Sequence, residues 1–181
     1  KNSIGYAVST DGIRFMCLDR PVMRPGEHVQ ELRGPEDGRL VKLGDTYYMT
    51  YTGFSNRFSG DYRICLATSR NLVDWQRHGV VLGEPNKNAS LFPEPIGGRY
   101  YLLHRRYPDI WIAWSTDLKV WQGHTRVLSP LPGTWQDARV GIAGPPIKTP
   151  QGWFLIYHGA SKADNSYRLG AALLDLNDPS R

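Results

Sequence analysis

At 181 residues the chain is long enough for one domain with a true core, or for part of a larger one. Its formal charge of +5 comes from bases scattered singly rather than in a tract, which argues against nucleic acid as a partner. No apolar run approaches the roughly 20 residues of a membrane span, so no membrane partner is expected.

Nineteen glycines, 13 prolines and 12% aromatic residues point to short strands joined by many turns. Cys17 and Cys65 stand alone in apolar contexts and read as two buried thiols. The Lys1-Asn2-Ser3 start is not a signal peptide, and a cytoplasmic location is expected, with an exported form that has lost its leader as the alternative.

The chain opens on a strand, Ala7-Val8-Ser9, that turns through Thr10-Asp11-Gly12 toward Phe15. The register returns 60 residues later from Ala67 to Trp75, and 46 residues after that from Ala113 to Trp121. Each copy carries a Ser-x-Asp or Ser-x-Asn turn, whose side chains accept hydrogen bonds from backbone just ahead, and each closes on an aromatic that packs over the turn. A degenerate fourth copy runs from Leu169 to Asp175.

Between these copies lies a second repeated element, very aromatic in composition: Asp45 to Thr52, Gly98 to Arg105, and Gln151 to His158. A short strand precedes each one, Arg39 to Leu43, Leu91 to Ile96, and Pro146 to Thr149. Tyr, Val, Ile and Trp dominate these pieces, and no helical stripe exceeds about two turns. Four strands per unit read as β-propeller blades, giving an all-β fold. Three nearly whole blades and a leading half-blade are visible, about three to four blades' worth. Propellers close with four or more, so residues 1–181 are expected to be a single β-propeller domain and an incomplete portion of a longer one.

In a propeller the innermost strands line the central channel, so residues at their entry ends converge. Asp37 holds that place in the first unit, Lys87 and Asn88 in the second, and Arg139 in the third. The second strands contribute Thr52, Arg105 and His158 at one common register. One carboxylate facing several bases suits an anion held beside a group that needs a proton. Each residue also has a plainer reading: Glu36-Asp37 as a charged turn, Arg105 on a wet edge strand, His158 as a core histidine. The shared register favours the site. Glu36 and Asp37 are expected to point to opposite sides of an extended strand, with Asp37 in the channel. Tyr51, Tyr107 and Tyr167 are candidates to line the cleft, and Asn88 and Asp109 to contact substrate. Glu94 and Asp137 are spare carboxylates, and Trp135 is a candidate sugar platform. No His/Cys/Asp set has metal-ligand spacing, so neither metal nor cofactor is expected.

These residues resemble a known family. The matching pieces include Gly34-Pro35-Glu36-Asp37-Gly38-Arg39, Tyr47 to Thr52, Asn86-Lys87-Asn88-Ala89-Ser90-Leu91-Phe92-Pro93-Glu94 and His104-Arg105. They continue with Arg139-Val140-Gly141, Gly144 to Thr149, Tyr157-His158-Gly159 and Tyr167 to Ala171, in order along nearly the whole chain. Together they resemble glycoside hydrolase family 130, the β-mannoside phosphorylases and related β-mannosidases. The resemblance implies a five-bladed propeller with its active site in the central cavity. It implies Asp37 as the catalytic acid, with Arg105, Arg139 (usually Lys in the family) and His158 holding inorganic phosphate, Tyr167 near it and Lys87 among the same bases. Two departures stand out: Gly38 replaces the family's usual proline after the acid, and the family's early arginine and late mannosyl-binding aspartate have no counterpart.

The implied reaction is inverting phosphorolysis, in which a β-mannoside disaccharide or oligosaccharide and inorganic phosphate give α-mannose 1-phosphate. Counting roles supports it. Inverting hydrolysis needs a second carboxylate about 6.5–9.5 Å from the acid to activate water, whereas phosphate needs only to be held. A hydrolytic β-mannosidase and a non-catalytic carbohydrate-binding propeller fragment are the competing readings, and homo-oligomer formation stays open.

Overall fold

The computed structural model describes residues 1–26 and 28–181. Among these the chain is strands throughout, apart from one 3-10 turn at Val29–Glu31. β1 (Ala7–Val8) and β2 (Met16–Cys17) form a small antiparallel pair. β3 (Gly34–Leu43), β4 (Thr46–Phe54), β5 (Tyr62–Ser69) and β6 (Gln76–Leu82) pair in sequence as the first four-stranded antiparallel blade. The second blade repeats this with β7 (Lys87–Leu91), β8 (Tyr100–Arg106), β9 (Asp109–Ser115) and β10 (Gln122–Leu128). In the third, β11 (Arg139–Ile142) and β12 (Ile147–Thr149) share one edge of β13 (Gly152–Ala160), and β14 (Tyr167–Leu174) covers the other.

The repeated turn explains why the blades resemble one another. In the second copy Ser69 Oγ accepts Leu72 N–H at 2.8 Å, while Asn71 Oδ1 accepts Val73 and Asp74 N–H at 3.0 and 2.9 Å. Ser115 and Asp117 make the same bonds to Leu118, Lys119 and Val120 at 2.8–2.9 Å, as Ser9 and Asp11 do to Gly12, Ile13 and Arg14 at 2.8 Å. The residue after the Asp or Asn lies in the left-handed region, φ 73° at Gly12, 66° at Leu72 and 62° at Leu118. That costs a leucine about 1–2 kcal/mol, which the local hydrogen bonds offset.

The core lies between the blades. Leu102 and Leu103 are neighbours on β8, and both are fully buried. Alternation along a strand sends them to opposite faces: Leu102 packs with Val41, Ile64 and Leu66 of the first blade, Leu103 with Val140, Trp153 and Leu155 of the third. Each such burial contributes about 1.5–3 kcal/mol and joins two blades. A third cluster, Met23, Met49, Tyr51, Cys65 and Ala67, seats the N-terminal segment on the first blade.

Two expectations change. Cys65 is buried in the cluster on the first blade, whereas Cys17, on the two-stranded β1–β2 pair, is exposed among the described residues. The inner strands also begin earlier than the sequence suggested, at Gly34 and Lys87, and the third is split into β11 and β12. The turn-like run Gly34-Pro35-Glu36-Asp37-Gly38 is a paired strand because β3 is an edge strand, where proline needs no N–H to donate.

Candidate active site

β7 packs against both β3 and β11, Arg39 of β3 reaches the Ile142 carbonyl of β11, and the entry ends of β3 and β7 border a cavity of about 310 Å³. Asp37 and Arg39 reach it from β3, Lys87 and Asn88 from β7, Arg105 from β8, His158 from β13 and Tyr167 from β14. Larger grooves of about 630 and 410 Å³, one at the Ser69–Gln76 turn and one between the first blade and the Asp117–Lys119 turn of the second, carry single charges of both signs, and no set of cations lines them.

Backbone irregularities aim the side chains. The β3–β4 register steps from Glu36↔Thr52 to Arg39↔Thr50, so an extra residue bulges out, and Asp37 there has φ 57°. The β7–β8 register steps in the same way from Lys87↔Arg105 to Ser90↔Leu103, and Asn88 has φ 53°. The third blade has no such step, and Gly141 pairs with His158. A Cβ on Gly141 would lie 2.6 Å from His158 Nε2 and 2.8 Å from Asn88 Oδ1, so glycine leaves room for both.

The bulge replaces the simple alternation expected of Glu36 and Asp37. Asp37 does face the cavity, its side chain keeping 44% of its exposure. Glu36 turns to the neighbouring blade, where it accepts from Lys87 Nζ at 2.8 Å and from the Asn2 side chain. Lys87, expected among the phosphate-holding bases, borders the cavity with its ammonium already held by Glu36.

Arg105 and Arg139 have no ion-pair partner among the described residues. Burial first, then the Arg139 guanidinium, lower the pKa of Arg105 below its ordinary value. Arg139 does not occupy the register shared by Glu36 and Lys87. It lies within β11 opposite Ala160, two residues upstream of Gly141, and reaches sideways to donate to Tyr167 Oη at 2.5 Å and stack on that ring at 5.1 Å. Tyr167 also leans on His158, with ring centroids 5.6 Å apart. Burial, then Arg105 and Arg39, push the His158 pKa down to about 4. Its imidazole is therefore neutral at neutral pH.

Sequence reasoning gave Arg39 no role, although it stands in the quoted motif two residues after Asp37. Its side chain is only 11% exposed, donates to the Asp37 carbonyl at 2.6 Å and crosses to the third blade to donate to the Ile142 carbonyl at 3.0 Å.

Other candidates lie elsewhere. Tyr51 does not line the cavity: it is 1% exposed, packed in the core, and donates to Glu31 Oε1 at 2.6 Å. Asp109 opens β9 opposite Arg106, away from the cavity lining, and Tyr107 projects from the adjoining turn at 69% exposure. Glu94 pairs with Lys148, and Asp137 accepts the Lys162 N–H at 2.8 Å. Trp135 stacks on Tyr157.

Glu84, His104 and His124 bring ligand atoms within 4.8 Å of one another, a grouping that sequence spacing did not reveal. Hydrogen bonds already engage them. Asn86 Nδ2 approaches His104 Nδ1 at 2.9 Å, His104 Nε2 approaches His124 Nδ1 at 3.1 Å, and Glu84 pairs with Arg106 at 2.6 Å. A metal on His104 Nε2 would need the proton moved to Nδ1, where it would meet the Asn86 amide donor.

Residues 1–181 match the sequence model of glycoside hydrolase family 130, described as beta-1,4-mannooligosaccharide phosphorylase. The chain is 67% identical over 178 residues to a 1,2-beta-oligomannan phosphorylase of Thermoanaerobacter sp. (strain X514), covering 98% of this chain and 60% of the relative. It is 54% identical to a beta-1,2-mannobiose phosphorylase of the same organism, covering 99% of this chain and 59% of the relative. The fold superposes on the beta-1,2-mannobiose phosphorylase of Listeria innocua, solved with beta-1,2-mannobiose, at a TM-score of 0.89 and 38% identity, covering 96% of this chain and 50% of that one. The chain thus spans between half and three-fifths of the length of these relatives, whose family folds as five-bladed propellers. By its full-length match and its blade architecture, the chain belongs to glycoside hydrolase family 130.

Proposed function

We propose that the protein carrying this chain is an inverting phosphorylase of β-mannosides, and that residues 1–181 form part of a longer propeller, as the greater length of its relatives supports. The observation that carries the reaction is the imbalance of charge. Among the residues lining the cavity Asp37 is the only acid, and it meets Arg39 and the unpaired Arg105, with Arg139 close by. That set suits a bound phosphate. Among the described residues that line the cavity, no second carboxylate accompanies Asp37 in the place where inverting hydrolysis would activate water.

In this reading Arg105, Arg139 and neutral His158 hold phosphate by charge-assisted and ordinary hydrogen bonds. A phosphate oxygen attacks C1 of the mannosyl unit from the face opposite the leaving group. The C1–O bond to the acceptor sugar breaks, its electron pair goes to the leaving oxygen, and the Asp37 carboxyl supplies the proton. The products are α-mannose 1-phosphate and the shortened acceptor. The relatives at 67% and 54% identity are named for β-1,2 linkages and the family model for β-1,4. Greater identity favours β-1,2-linked mannosides.

The test is to incubate the full-length protein with β-1,2-mannobiose with and without phosphate and follow products by proton and phosphorus NMR. Phosphate-dependent formation of α-mannose 1-phosphate is expected. Free mannose formed at the same rate without phosphate would make the protein a hydrolase.

A further inference from the structure

Behind the cavity wall runs a buried polar chain that the reaction above does not use. Asn86, just before β7, is 1% exposed, and its Oδ1 accepts the backbone N–H of Arg105 at 3.0 Å. A backbone amide only donates, so this contact sets which end of the Asn86 side chain faces Arg105. Nδ2 then faces His104 Nδ1 at 2.9 Å and Glu84 Oε1 at 3.4 Å. Nδ1 is therefore the acceptor, and the ring proton sits on Nε2, pointing at His124 Nδ1 3.1 Å away. His104 is fully buried, and burial, then His124 and Arg106, push its pKa down to about 3. The ring stays neutral and keeps its acceptor toward Asn86.

The location gives this chain its consequence. Lys87, Asn88 and Arg105 all border the cavity, and the β7–β8 ladder steps out of register immediately after the Lys87↔Arg105 pair. Strand pairing is weakest where the cation must be placed most accurately. A side chain locked in one orientation there holds the backbone from which the Arg105 guanidinium projects.

We propose that Asn86, oriented by His104, is a positioning residue that sets how Arg105 enters the anion cavity. The proposal rests on the phosphorolytic reading, which gives Arg105 its anion. Small displacements of such a group are costly, since about 1 Å at a reacting centre can cost on the order of 10²-fold.

Two substitutions at one residue separate positioning from general packing. His104→Asn keeps an oxygen near the place of Nδ1, so Asn86 retains its acceptor. His104→Leu fills similar space and removes it. In the full-length protein, His104→Leu is expected to raise the KM for phosphate by about 10-fold or more, with the KM for β-1,2-mannobiose little changed. His104→Asn should stay close to the wild type, and Asn86→Ala, which removes the contact directly, should behave as His104→Leu does. Equal impairment in His104→Asn and His104→Leu, or phosphate and mannoside KM rising together, would overturn the proposal. Calorimetric titration with sulfate gives the same ordering of affinities without turnover. If wild-type turnover proves independent of phosphate, phosphorolysis fails, and the sulfate ordering still decides whether Asn86 positions Arg105.

Discussion

Asp37 and Asn88 occupy equivalent backbone positions in consecutive blades, each displaced by a one-residue register step and each in the left-handed region, with φ 57° and 53°. Asp and Asn are the side chains other than glycine that tolerate this conformation best. The same bulge therefore presents a carboxyl group in one blade and a neutral amide in the next. Asn88 Oδ1 is buried and has no hydrogen-bond partner among the described residues.

Asp37→Asn is accordingly compatible with the backbone, since asparagine already holds the matching position. It removes the proton that the proposed acid would transfer, together with the 4.0 Å ion pair to Arg39, but keeps the Arg39 hydrogen bond to the carbonyl of residue 37. Turnover on an ordinary β-mannoside should fall by roughly 10²–10⁴-fold, with unchanged thermal unfolding. A β-mannoside with a strongly acidic leaving group should recover much of the rate. Near-wild-type activity on the ordinary substrate would show that Asp37 is not the acid.

Arg105→Ala should weaken phosphate use far more than mannoside binding. Loss of one such donor typically costs on the order of 3 kcal/mol in the transition state, or about 10²-fold in kcat/KM for phosphate. Steady-state kinetics with phosphate as the varied substrate read this directly. A mannoside KM that rises as much as the phosphate KM would place Arg105 elsewhere in the reaction.

Arg39→Lys keeps the charge and loses the fork that bonds the Asp37 and Ile142 carbonyls together. Stability should drop by about 1.5–3 kcal/mol, because a buried carbonyl loses a charged donor across two blades. Urea unfolding measures the loss. A substitution that leaves the midpoint unmoved would show that the cross-blade bond contributes little.

Gly141→Ala tests the shape of the cavity without straining the backbone. The added methyl would stand 2.6 Å from His158 Nε2, so the imidazole must move. Anion affinity, read by sulfate titration, should fall by an order of magnitude or so while the circular dichroism spectrum stays native.

His158 supplies a pH signature. Its folded pKa of about 4 lies below the ordinary 6.5, so the unfolded chain binds the proton more readily between those values. Its contribution to stability is complete above pH 6.5 and is lost as pH falls toward 4. An anion beside the ring raises the pKa again. Sulfate binding near pH 5.5 should therefore take up protons and strengthen as pH falls, and His158→Gln should abolish the uptake. Calorimetry in buffers of different ionisation enthalpy measures it, and an uptake that persists in the variant would assign it to another group.

Much of this architecture is written in local sequence. The Ser-x-Asp and Ser-x-Asn turns close within three residues of their own side chains, so Ser9, Ser69 and Ser115 announce three equivalent strand ends without help from the rest of the chain. The alternating apolar strands and the convergence of Asp37, Arg105 and His158 follow from that repeat. What depends on partners far away in sequence was decided only by tertiary structure. Tyr51 looks like a cleft residue until Glu31 and Cys65 close around it, and Cys17 looks buried until its place on the two-stranded β1–β2 pair is known. Lys87 looks like a free cation until the bulge at Asp37 turns Glu36 toward it. Arg39 shows its role only when a bond spanning 103 residues joins the first blade to the third. A strand pattern records which faces are apolar; it does not record where the ladder slips by one residue, and that slip selects which side chains enter the cavity.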